Sequence, residues 1–391
     1  MKRKWFLMLA VTLLAVSLLV SGCASKKTEE KVASPTPTTN SKVVKLGLIT
    51  PLTGDVKTFG ESVQKGFELA LAEANNKAGD LTIEKVIVDD RNDATEATNV
   101  AGKLVEQDKV SVVIGSVTSK CTVPASAIAQ SKGVVMISPT ATATKVTMDP
   151  IRKDDIFRAC FIDPFQGTVG AKFAAKELKA KTAAIMYDQG NDYTVGLSKS
   201  FEQEFTKGGG KIVANESYSK DDVDFSAVLT NISKQKPDIL YLPDYYQKVS
   251  LIGKQARDKG ITAVFLGGDG WDSDKLDMAT MGGGYFTAHY SADDPRPEVV
   301  NWISKYKEKY GAVPDSFATL AYDATKLALK AITDANSSDP AKIKAALQSV
   351  KDFPVVSGKI TFDAEGNPIK PAVILQVQKD GKYKYITTVN P

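Results

Sequence analysis

The chain has 391 residues and a formal net charge of +4, with 50 lysines and arginines against 46 acidic residues. Three of the positive charges, Lys2, Arg3 and Lys4, lie in the first 22 residues, so the rest of the chain is nearly neutral. This balance excludes the basic surface that a nucleic-acid-binding protein needs. At this length we expect two lobes, because a single core stops growing near about 250–300 residues. One histidine and three cysteines argue against a conventional zinc site, and we expect no metal and no cofactor.

The first 42 residues predict an export signal, an anchor and a tether. The basic start precedes an apolar run over residues 5–20, shorter than the about 20 residues of a membrane span but suited to a secretory signal. The run ends in Val20-Ser21-Gly22-Cys23, which resembles a bacterial lipobox. We therefore predict a signal peptide over 1–22, lipidation of Cys23 and a flexible tether over 23–42. A plain signal peptide with a chance cysteine, or an uncleaved anchor, is the alternative.

From residue 43 onward, short apolar runs typical of buried strands alternate with stretches of helical periodicity. We predict strands at 43–50, 83–89, 110–115, 134–138, 182–187, 211–216, 239–242 and 264–267. Predicted helices lie at 58–78, 96–106, 193–207, 224–235, 246–259, 297–310 and 316–334. Nearly continuous β-branched strands that alternate with helices indicate parallel sheets covered on both faces. The pattern predicts an α/β protein with two successive doubly wound units, followed by a hairpin near residues 364–367.

Ligands of open parallel sheets bind beyond the carboxyl ends of the strands. The predicted loops at those ends are 51–60, 115–124, 139–145 and 268–272. We expect a binding site to be built from these four loops.

Short motifs along the body carry a resemblance to one family. They are GLITPLTG at 47–54, Phe59-Gly60, Gly66, Asp89-Asp90, KLV at 103–105, VIG at 113–115 with Ser119, ISPTAT at 137–142 and AYDA at 321–324. This ordered set, over residues 43–390, resembles the branched-chain amino-acid-binding proteins of bacterial ABC transporters. The resemblance implies a type I periplasmic-binding fold, in which two Rossmann-like lobes joined by three crossovers close on a ligand. It places lobe one at 43–162 and 292–354, and lobe two at 163–291 and 355–391.

The resemblance also implies a set of ligand-binding residues. Ser119 and Thr142 match the positions that bind the ligand carboxylate, and the Thr140 carbonyl and Asp269 match those that bind its ammonium group. Asp269 stands where the family commonly has a longer Glu. Residues that match the pocket wall are aromatic: Phe59, Tyr193 and Tyr245, with Tyr246 as the alternative to the last and Phe317 and Trp271 as further candidates.

Physical chemistry supports these residue types, because a zwitterion needs an anion site and a cation site. Hydroxyls near helix N-termini suit the carboxylate, and an acidic side chain suits the ammonium. Each residue also has a structural alternative. Ser119 and Thr142 are typical helix caps, and Asp269 suits a glycine-rich turn. Phe59 fits an amphipathic core stripe, and Tyr245 fits an exposed loop.

We therefore expect an extracytoplasmic, lipid-anchored, monomeric solute-binding protein of an ABC importer. It would capture an amino acid, of branched-chain or other aliphatic type, and deliver it to the permease. A ligand sensor of the same fold, or a protein that binds urea, amides or aromatic acids, is the alternative.

An extracellular hydrolase is disfavoured, because no G-x-S-x-G motif is present and the one histidine, His289, has no partner motif. We expect no enzymatic activity and a structural or solvent-facing His289. Whether Cys121 and Cys160 pair stays open.

Overall fold

A computed structural model describes residues 43–391, which all belong to one compact unit. The predicted signal peptide, Cys23 and the tether lie outside the described residues. The α-helices of the described chain are α1 Lys57–Glu73, α2 Ala94–Gly102, α3 Ser119–Ser131, α4 Asp163–Lys176, α5 Asp192–Lys207, α6 Ser226–Gln235, α7 Tyr246–Asp258, α8 Met278–Met281, α9 Pro297–Tyr310, α10 Ser316–Ala335 and α11 Pro340–Gln348. Its strands are β1 Val43–Thr50, β2 Lys77–Ala78, β3 Leu81–Asp89, β4 Val112–Ile114, β5 Val135–Ser138, β6 Ile156–Arg158, β7 Thr182–Asp188, β8 Lys211–Tyr218, β9 Ile239–Leu242, β10 Val264–Gly267, β11 Tyr285–Ala288, β12 Phe353–Val355, β13 Gly358–Ile360, β14 Ala372–Val377 and β15 Tyr383–Val389.

Two large sheets organise these elements. The first sheet has the order β2-β3-β1-β4-β5-β6 and is parallel except for the short β2. The second sheet has the order β15-β14-β11-β10-β9-β7-β8, with parallel pairing from β11 to β8 and an antiparallel β14–β15 edge. A small ladder joins β12 and β13. The chain crosses between the two sheets after β6, after β11 and before β14, which confirms the predicted α/β class with three crossovers.

Strand β1 shows why helices cover both faces of the first sheet. Successive side chains of a strand point to opposite faces. Leu46 and Leu48 accordingly pack into the same cluster as Phe59 and Phe67 of α1. Ile49 packs on the other side, in a cluster with side chains from α2, α3 and the π-helical turn that follows α2. The nearly continuous apolar run of β1 therefore reflects burial on both faces.

Sequence periodicity does not reveal which sheet the last elements join. In the structure, α9 and α10 pack against α1, in a cluster that contains Leu69, Trp302, Tyr306 and Tyr322. At Gly66 of α1, a Cβ atom would collide with the backbone of α10. Strands β14 and β15 extend the second sheet instead. The boundaries of the four lobe segments themselves stay a prediction.

The structure differs from the predicted elements at several places. The helix predicted for 58–78 ends at Glu73, because Asn75 and Asn76 adopt positive φ values of 51° and 52°. The turn at 364–367 closes only an isolated bridge between Phe362 and Pro368, while the terminal hairpin is β14–β15. Strands β6 and β11 and helices α3, α4, α8 and α11 were not among the predicted elements.

The two cysteines in the described part of the chain are free and buried. The Cys121 thiol faces the Asn92 side-chain oxygen, and the Cys160 thiol donates to the Ala141 carbonyl at 3.3 Å. Burial raises the pKa of each thiol to about 12. No disulfide joins them.

Over residues 43–391, no helix has the length and apolar character needed to cross a membrane. The same range contains no group of three or more His, Cys, Asp or Glu side chains that is arranged to hold a metal ion.

Candidate functional site

The loops at the carboxyl ends of the two large sheets meet across a cleft. The Phe59 ring of α1 contacts Tyr245, which follows β9, with ring centroids 5.9 Å apart. Lys145 forms an ion pair with Asp192 at 2.8 Å. Thr58 and Ser273 place their hydroxyl oxygens 3.3 Å apart. Because each pair joins a residue at the carboxyl end of one sheet to a residue at the carboxyl end of the other, the cleft is closed in this structure.

Three buried hydroxyl residues, which we call the hydroxyl cluster, lie at the carboxyl ends of β4 and β5: Ser119, Thr140 and Thr142. The Ser119 hydroxyl oxygen accepts from the backbone N–H of Ala143 at 3.2 Å. Thr140 donates its hydroxyl to the Val117 carbonyl at 2.6 Å.

Helix capping does not use the Ser119 or Thr142 hydroxyl. The N-cap of α3 is Thr118, and the N-cap of the 3-10 turn Thr144–Val146, which follows β5, is Ala143. Neither residue caps through its side chain. This removes the structural alternative that the sequence left open for Ser119 and Thr142.

Arg158, which the sequence analysis did not single out, holds the loop after β5 that carries Thr140 and Thr142. Its fully buried guanidinium donates to the carbonyls of Ala141 at 3.0 Å and Ala143 at 3.1 Å. The backbone on both sides of Thr142 is thereby fixed. Burial lowers the pKa of Arg158. No local pattern marks Arg158, because it ends the three-residue strand β6.

Asp269 is buried rather than exposed on a turn. The residue is 4% exposed, and one carboxylate oxygen accepts from the Tyr193 hydroxyl at 2.9 Å. The other oxygen lies 3.1 Å from Nε2 of His289. The backbone N–H of Asp269 donates to the Gln166 side chain at 2.8 Å. Tyr193 and His289 therefore hold the carboxylate, and Gln166 holds the backbone that carries it.

Glycines beside Asp269 make room for the tyrosines of the site. A Cβ atom on Gly268 would lie 2.6 Å from the Tyr193 hydroxyl, and one on Gly270 would lie 2.9 Å from the Tyr245 ring. Real Cβ atoms do not approach other atoms so closely. The glycine-rich sequence around Asp269 thus serves close packing.

A second buried acid, Asp163, interacts electrostatically with Asp269, and we call the two the acid cluster. Asp163 is the first residue of α4, is 1% exposed, and neither of its carboxylate oxygens has a well-formed hydrogen bond within residues 43–391. Burial raises the pKa of Asp163 well above its usual range; the Thr142 hydroxyl and the Arg158 charge oppose this shift, and the Asp269 charge adds to it. Its backbone N–H donates to the Thr142 carbonyl at 3.0 Å. Asp163 therefore joins the acid cluster to the hydroxyl cluster.

Aromatic rings form the wall between these polar groups and the mouth of the cleft. Tyr193 and Tyr245 stack in parallel, with centroids 5.1 Å apart and an interplanar angle of 3°. Phe59 stacks on Phe317 at 3.8 Å. Tyr246 meets the Phe59 ring edge at 5.1 Å. Of the two tyrosines that the sequence left open, Tyr245 is the one beside Tyr193.

Two predicted wall residues also have core contacts. Phe59 is 1% exposed and shares a core cluster with the first-sheet strands, so it belongs to the core as well as to the wall. Trp271 is fully buried and donates its indole N–H to the Leu242 carbonyl at 3.0 Å. Trp271 therefore supports the site from beneath.

A cavity of about 350 Å³ opens at the mouth of the cleft, beside Tyr245. Its lining includes Asp55, Val56 and Lys120 from one side and Tyr245 and Leu251 from the other. Lys220 and Asp55 form an ion pair across it at 3.5 Å. The mouth is therefore polar and charged, while the wall behind it is aromatic.

His289 does not face solvent, contrary to one of the two environments expected from the sequence. It is 3% exposed, and its ring stacks on Phe161 with centroids 3.7 Å apart. Burial lowers its pKa from the usual 6.5, and the hydrogen bond to Asp269 partly opposes that shift.

Comparisons with known proteins agree with this architecture. The profile of a family described as periplasmic binding protein matches residues 43–382. The Leu/Ile/Val-binding protein homolog 2 of Brucella abortus is 32% identical over 349 residues, which are 88% of this chain and 93% of that protein.

Solved structures with the same fold include transport proteins with different ligands. The leucine-binding protein LivK of Thermotoga maritima is 36% identical with a TM-score of 0.85, covering 89% of this chain and 99% of that one. LivJ of Streptococcus pneumoniae, solved with isoleucine, is 33% identical with a TM-score of 0.83, covering 89% and 100%. A benzoate-bound solute-binding protein of an ABC transporter from R. palustris is 25% identical with a TM-score of 0.80, covering 89% and 97%. The chain therefore belongs to the periplasmic binding protein family, among the type I solute-binding proteins of ABC transporters that include the branched-chain amino-acid-binding proteins.

Proposed function

We propose that this protein captures an amino acid with an uncharged aliphatic side chain and delivers it to the permease of an ABC importer. Ser119 and Thr142 bind the ligand carboxylate, Asp269 and the Thr140 carbonyl bind its ammonium group, and Phe59, Tyr193 and Tyr245 surround its side chain. The protein performs no chemistry on the ligand.

The acid cluster is the observation that carries this proposal. Two buried carboxylates, Asp163 and Asp269, have a histidine of lowered pKa and the hydroxyls of Tyr193 and Thr142 as side-chain partners among the described residues. The charge of Arg158 acts on Asp163, but the guanidinium hydrogen bonds go to carbonyls and to the Thr147 hydroxyl. Burial of an uncompensated charge is costly. A ligand ammonium group removes that cost and gains charge-assisted hydrogen bonds of roughly 1.5–3 kcal/mol each.

The same charges argue against an aromatic acid as the ligand. Benzoate brings a negative charge and no cation, so it leaves the acid cluster uncompensated. The aromatic wall alone suits either ligand class. The known ligands of the relatives, leucine and isoleucine among them, support the amino-acid proposal.

A thermal-shift screen tests the proposal directly. The protein from Ser25 onward is heated with each of the twenty amino acids, benzoate, urea and acetamide. A ligand present at about 100 times its dissociation constant stabilises the folded state by about 2.7 kcal/mol. We expect shifts with Leu, Ile and Val. A shift with benzoate or urea and none with amino acids contradicts the proposal.

We also propose that the protein is monomeric and works outside the cell membrane, held by a lipid on Cys23. The residues that support this anchor lie outside the described part of the chain, so the support is the lipobox-like sequence and the extracytoplasmic character of the family. Mass spectrometry of the mature protein tests it. We expect a diacylglyceryl adduct on an N-terminal Cys23 and no adduct in a Cys23→Ser variant. Unmodified Cys23 in the mature chain contradicts it.

A further inference from the structure

We propose that His289 is a positioning residue of the binding site: its neutral imidazole holds the Asp269 carboxylate for the ligand ammonium, and a proton on the imidazole competes with that ammonium. This inference rests on the proposed function, because it assumes a ligand with an ammonium group. It adds a residue that neither its motif context nor the family resemblance indicates.

The contacts of the imidazole define its protonation state. An ionised carboxylate only accepts hydrogen bonds, so the 3.1 Å contact of Nε2 with Asp269 requires a proton on Nε2. The other ring nitrogen, Nδ1, is buried and has no hydrogen-bond partner among the described residues. A second proton on Nδ1 would be a buried donor without an acceptor, which is costly. The site therefore favours the neutral tautomer with its proton on Nε2.

The surroundings of the ring oppose a positive charge on it. Burial lowers the pKa of His289, and the positive charge of Lys370 acts in the same direction. The pKa of Lys370 is lowered to about 8, so Lys370 is charged at the acidic pH where the imidazole would titrate. Only Asp269 acts in the other direction. Other titratable groups that interact electrostatically with Asp269 include Asp163, Asp272, Cys160, Tyr193, Tyr241 and Tyr245.

A neutral His289 leaves the negative charge of Asp269 available to the ligand ammonium group. The imidazole fixes one carboxylate oxygen and Tyr193 fixes the other, yet neither brings a cation. When the pH falls below the pKa of His289, the imidazole becomes a cation bound to the same carboxylate. Ligand binding then has to displace that proton, so the dissociation constant rises by up to about tenfold per pH unit. Above that pKa, His289 makes no contribution to the pH dependence.

The pH range follows from the direction of the shift. The pKa of His289 lies below 6.5 in the ligand-free protein, so competition begins only in acid. The ligand ammonium, placed beside Asp269, lowers this pKa further. Asp163, with its raised pKa, also gains a proton as the pH falls. The contributions of His289 and Asp163 to the pH dependence of binding are separated only by a variant that removes the imidazole and keeps its hydrogen bond to Asp269.

Glutamine is that variant. In His289→Gln, the side-chain amide places a neutral donor near the position of Nε2 and does not titrate. In His289→Phe, the stacked ring on Phe161 remains and the donor is lost. Both proteins, from Ser25 onward and without a histidine tag, are compared with the unsubstituted chain by calorimetric titration with leucine from pH 5 to pH 8. Melting temperatures without ligand show whether each variant is folded.

The single histidine of the chain allows a second, ligand-independent measurement. In a sample labelled with ¹⁵N-histidine, the imidazole signals belong to His289 alone and report its tautomer and pKa. We expect a proton on Nε2 at pH 7.5 and a pKa below 6.5 that falls further with leucine. In titrations we expect the dissociation constant to rise by up to about tenfold more per pH unit for the unsubstituted chain than for His289→Gln, at pH values below the His289 pKa that the spectrum gives. At pH 8, His289→Phe should bind at least about fivefold more weakly than His289→Gln.

Other results would overturn the inference. An imidazolium at pH 7.5 in the free protein, or a proton on Nδ1 instead of Nε2, contradicts the positioning role. Identical pH profiles of the unsubstituted chain and His289→Gln contradict the competition. If no amino acid binds the unsubstituted chain at pH 8, the proposed function fails, while the histidine spectrum still decides the state of the imidazole.

Discussion

The hydroxyl cluster and the acid cluster lie side by side but solve the problem of ligand binding in different ways. Ser119 and Thr140 already have backbone hydrogen-bond partners, and Arg158 fixes the loop that carries Thr142. The acid cluster holds two buried carboxylates, one of which has no well-formed partner. The first cluster is complete without a ligand, whereas the second is electrostatically incomplete. We infer that the hydroxyls define the position of the ligand carboxylate and that the acids select a ligand that carries a positive charge.

The largest loss of ligand affinity is expected when the charge of Asp269 is removed from the acid cluster. Asp269→Asn keeps the size of the side chain and removes its charge, so we expect the affinity for leucine to fall at least about 100-fold, because a charge-assisted contact is lost in a buried site. Calorimetric titration at pH 8 measures it. Asp274→Asn makes the same chemical change at an exposed position nearby and should bind normally. Affinity of Asp269→Asn within a few-fold of the unsubstituted chain removes Asp269 from the site.

A smaller loss is expected in the hydroxyl cluster. Ser119→Ala and Thr142→Ala each remove one hydroxyl from the ligand carboxylate, which should weaken leucine binding by about 1–3 kcal/mol. The loss should not depend on pH, because a hydroxyl does not titrate in this range. Ser131→Ala, at the exposed end of the same helix as Ser119, is the matched control. Unchanged affinity in both cluster variants would mean that the carboxylate binds elsewhere.

Asp163 should show the cost of an incomplete cluster in the free protein. Its pKa is raised, so its contribution to the free energy of unfolding is present below about pH 4 and is lost as the pH rises through the folded-state pKa. Asp163→Asn should therefore raise the free energy of unfolding at pH 8 by about 1–3 kcal/mol and have little effect near pH 4.

Denaturant titration of the ligand-free protein at the two pH values measures this difference, with exposed Asp154→Asn as control. The same Asp163→Asn variant should bind leucine more weakly, by about tenfold, because the negative charge beside the ammonium is halved. Destabilisation of the variant at pH 8 would contradict the description of Asp163 as a buried charge that its neighbours compensate only in part.

The smallest expected effect concerns the aromatic wall. Tyr245→Ala removes the ring that stacks on Tyr193, and we expect leucine affinity to fall by about 0.5–1.5 kcal/mol. Tyr246 is 4% exposed in the core, so Tyr246→Ala should lower the melting temperature more and the affinity less. Titration of both variants with leucine, under conditions where they are folded, decides which of the two tyrosines belongs to the pocket wall. A larger affinity loss for Tyr246→Ala would reverse the assignment.

The sequence predicted the two sheets better than it predicted the partners of the site. Long apolar runs such as β1 were recognisable because burial on both faces leaves a continuous hydrophobic signature. Asp269 was found only through family resemblance, and its contacts with Gln166 and His289 join positions 103 and 20 residues apart. No periodicity connects such positions. Asp163 was missed because an acid at the start of a helix is an ordinary feature.

The environment of His289 was also beyond local sequence reasoning. The residue follows the short strand β11, and its burial depends on the Phe161 ring, which belongs to the crossover after β6. Packing between distant segments, not residue type, sets its pKa. The strongest sequence signals therefore concerned the scaffold, and the weakest concerned the charges that the scaffold brings together.

The buried thiols of Cys121 and Cys160 have a practical consequence for following cleft closure. Because the pKa of each is about 12, neither thiol forms an appreciable amount of the nucleophilic thiolate at neutral pH. In the protein from Ser25 onward, a cysteine introduced by Lys220→Cys would therefore be the one thiol that reacts readily with a maleimide dye. Lys220 lies at the rim of the cleft, 3.5 Å from Asp55 on the opposite side, so the dye would report the environment of the closing mouth. The fold thus provides a background for a fluorescent reporter without removal of its native cysteines.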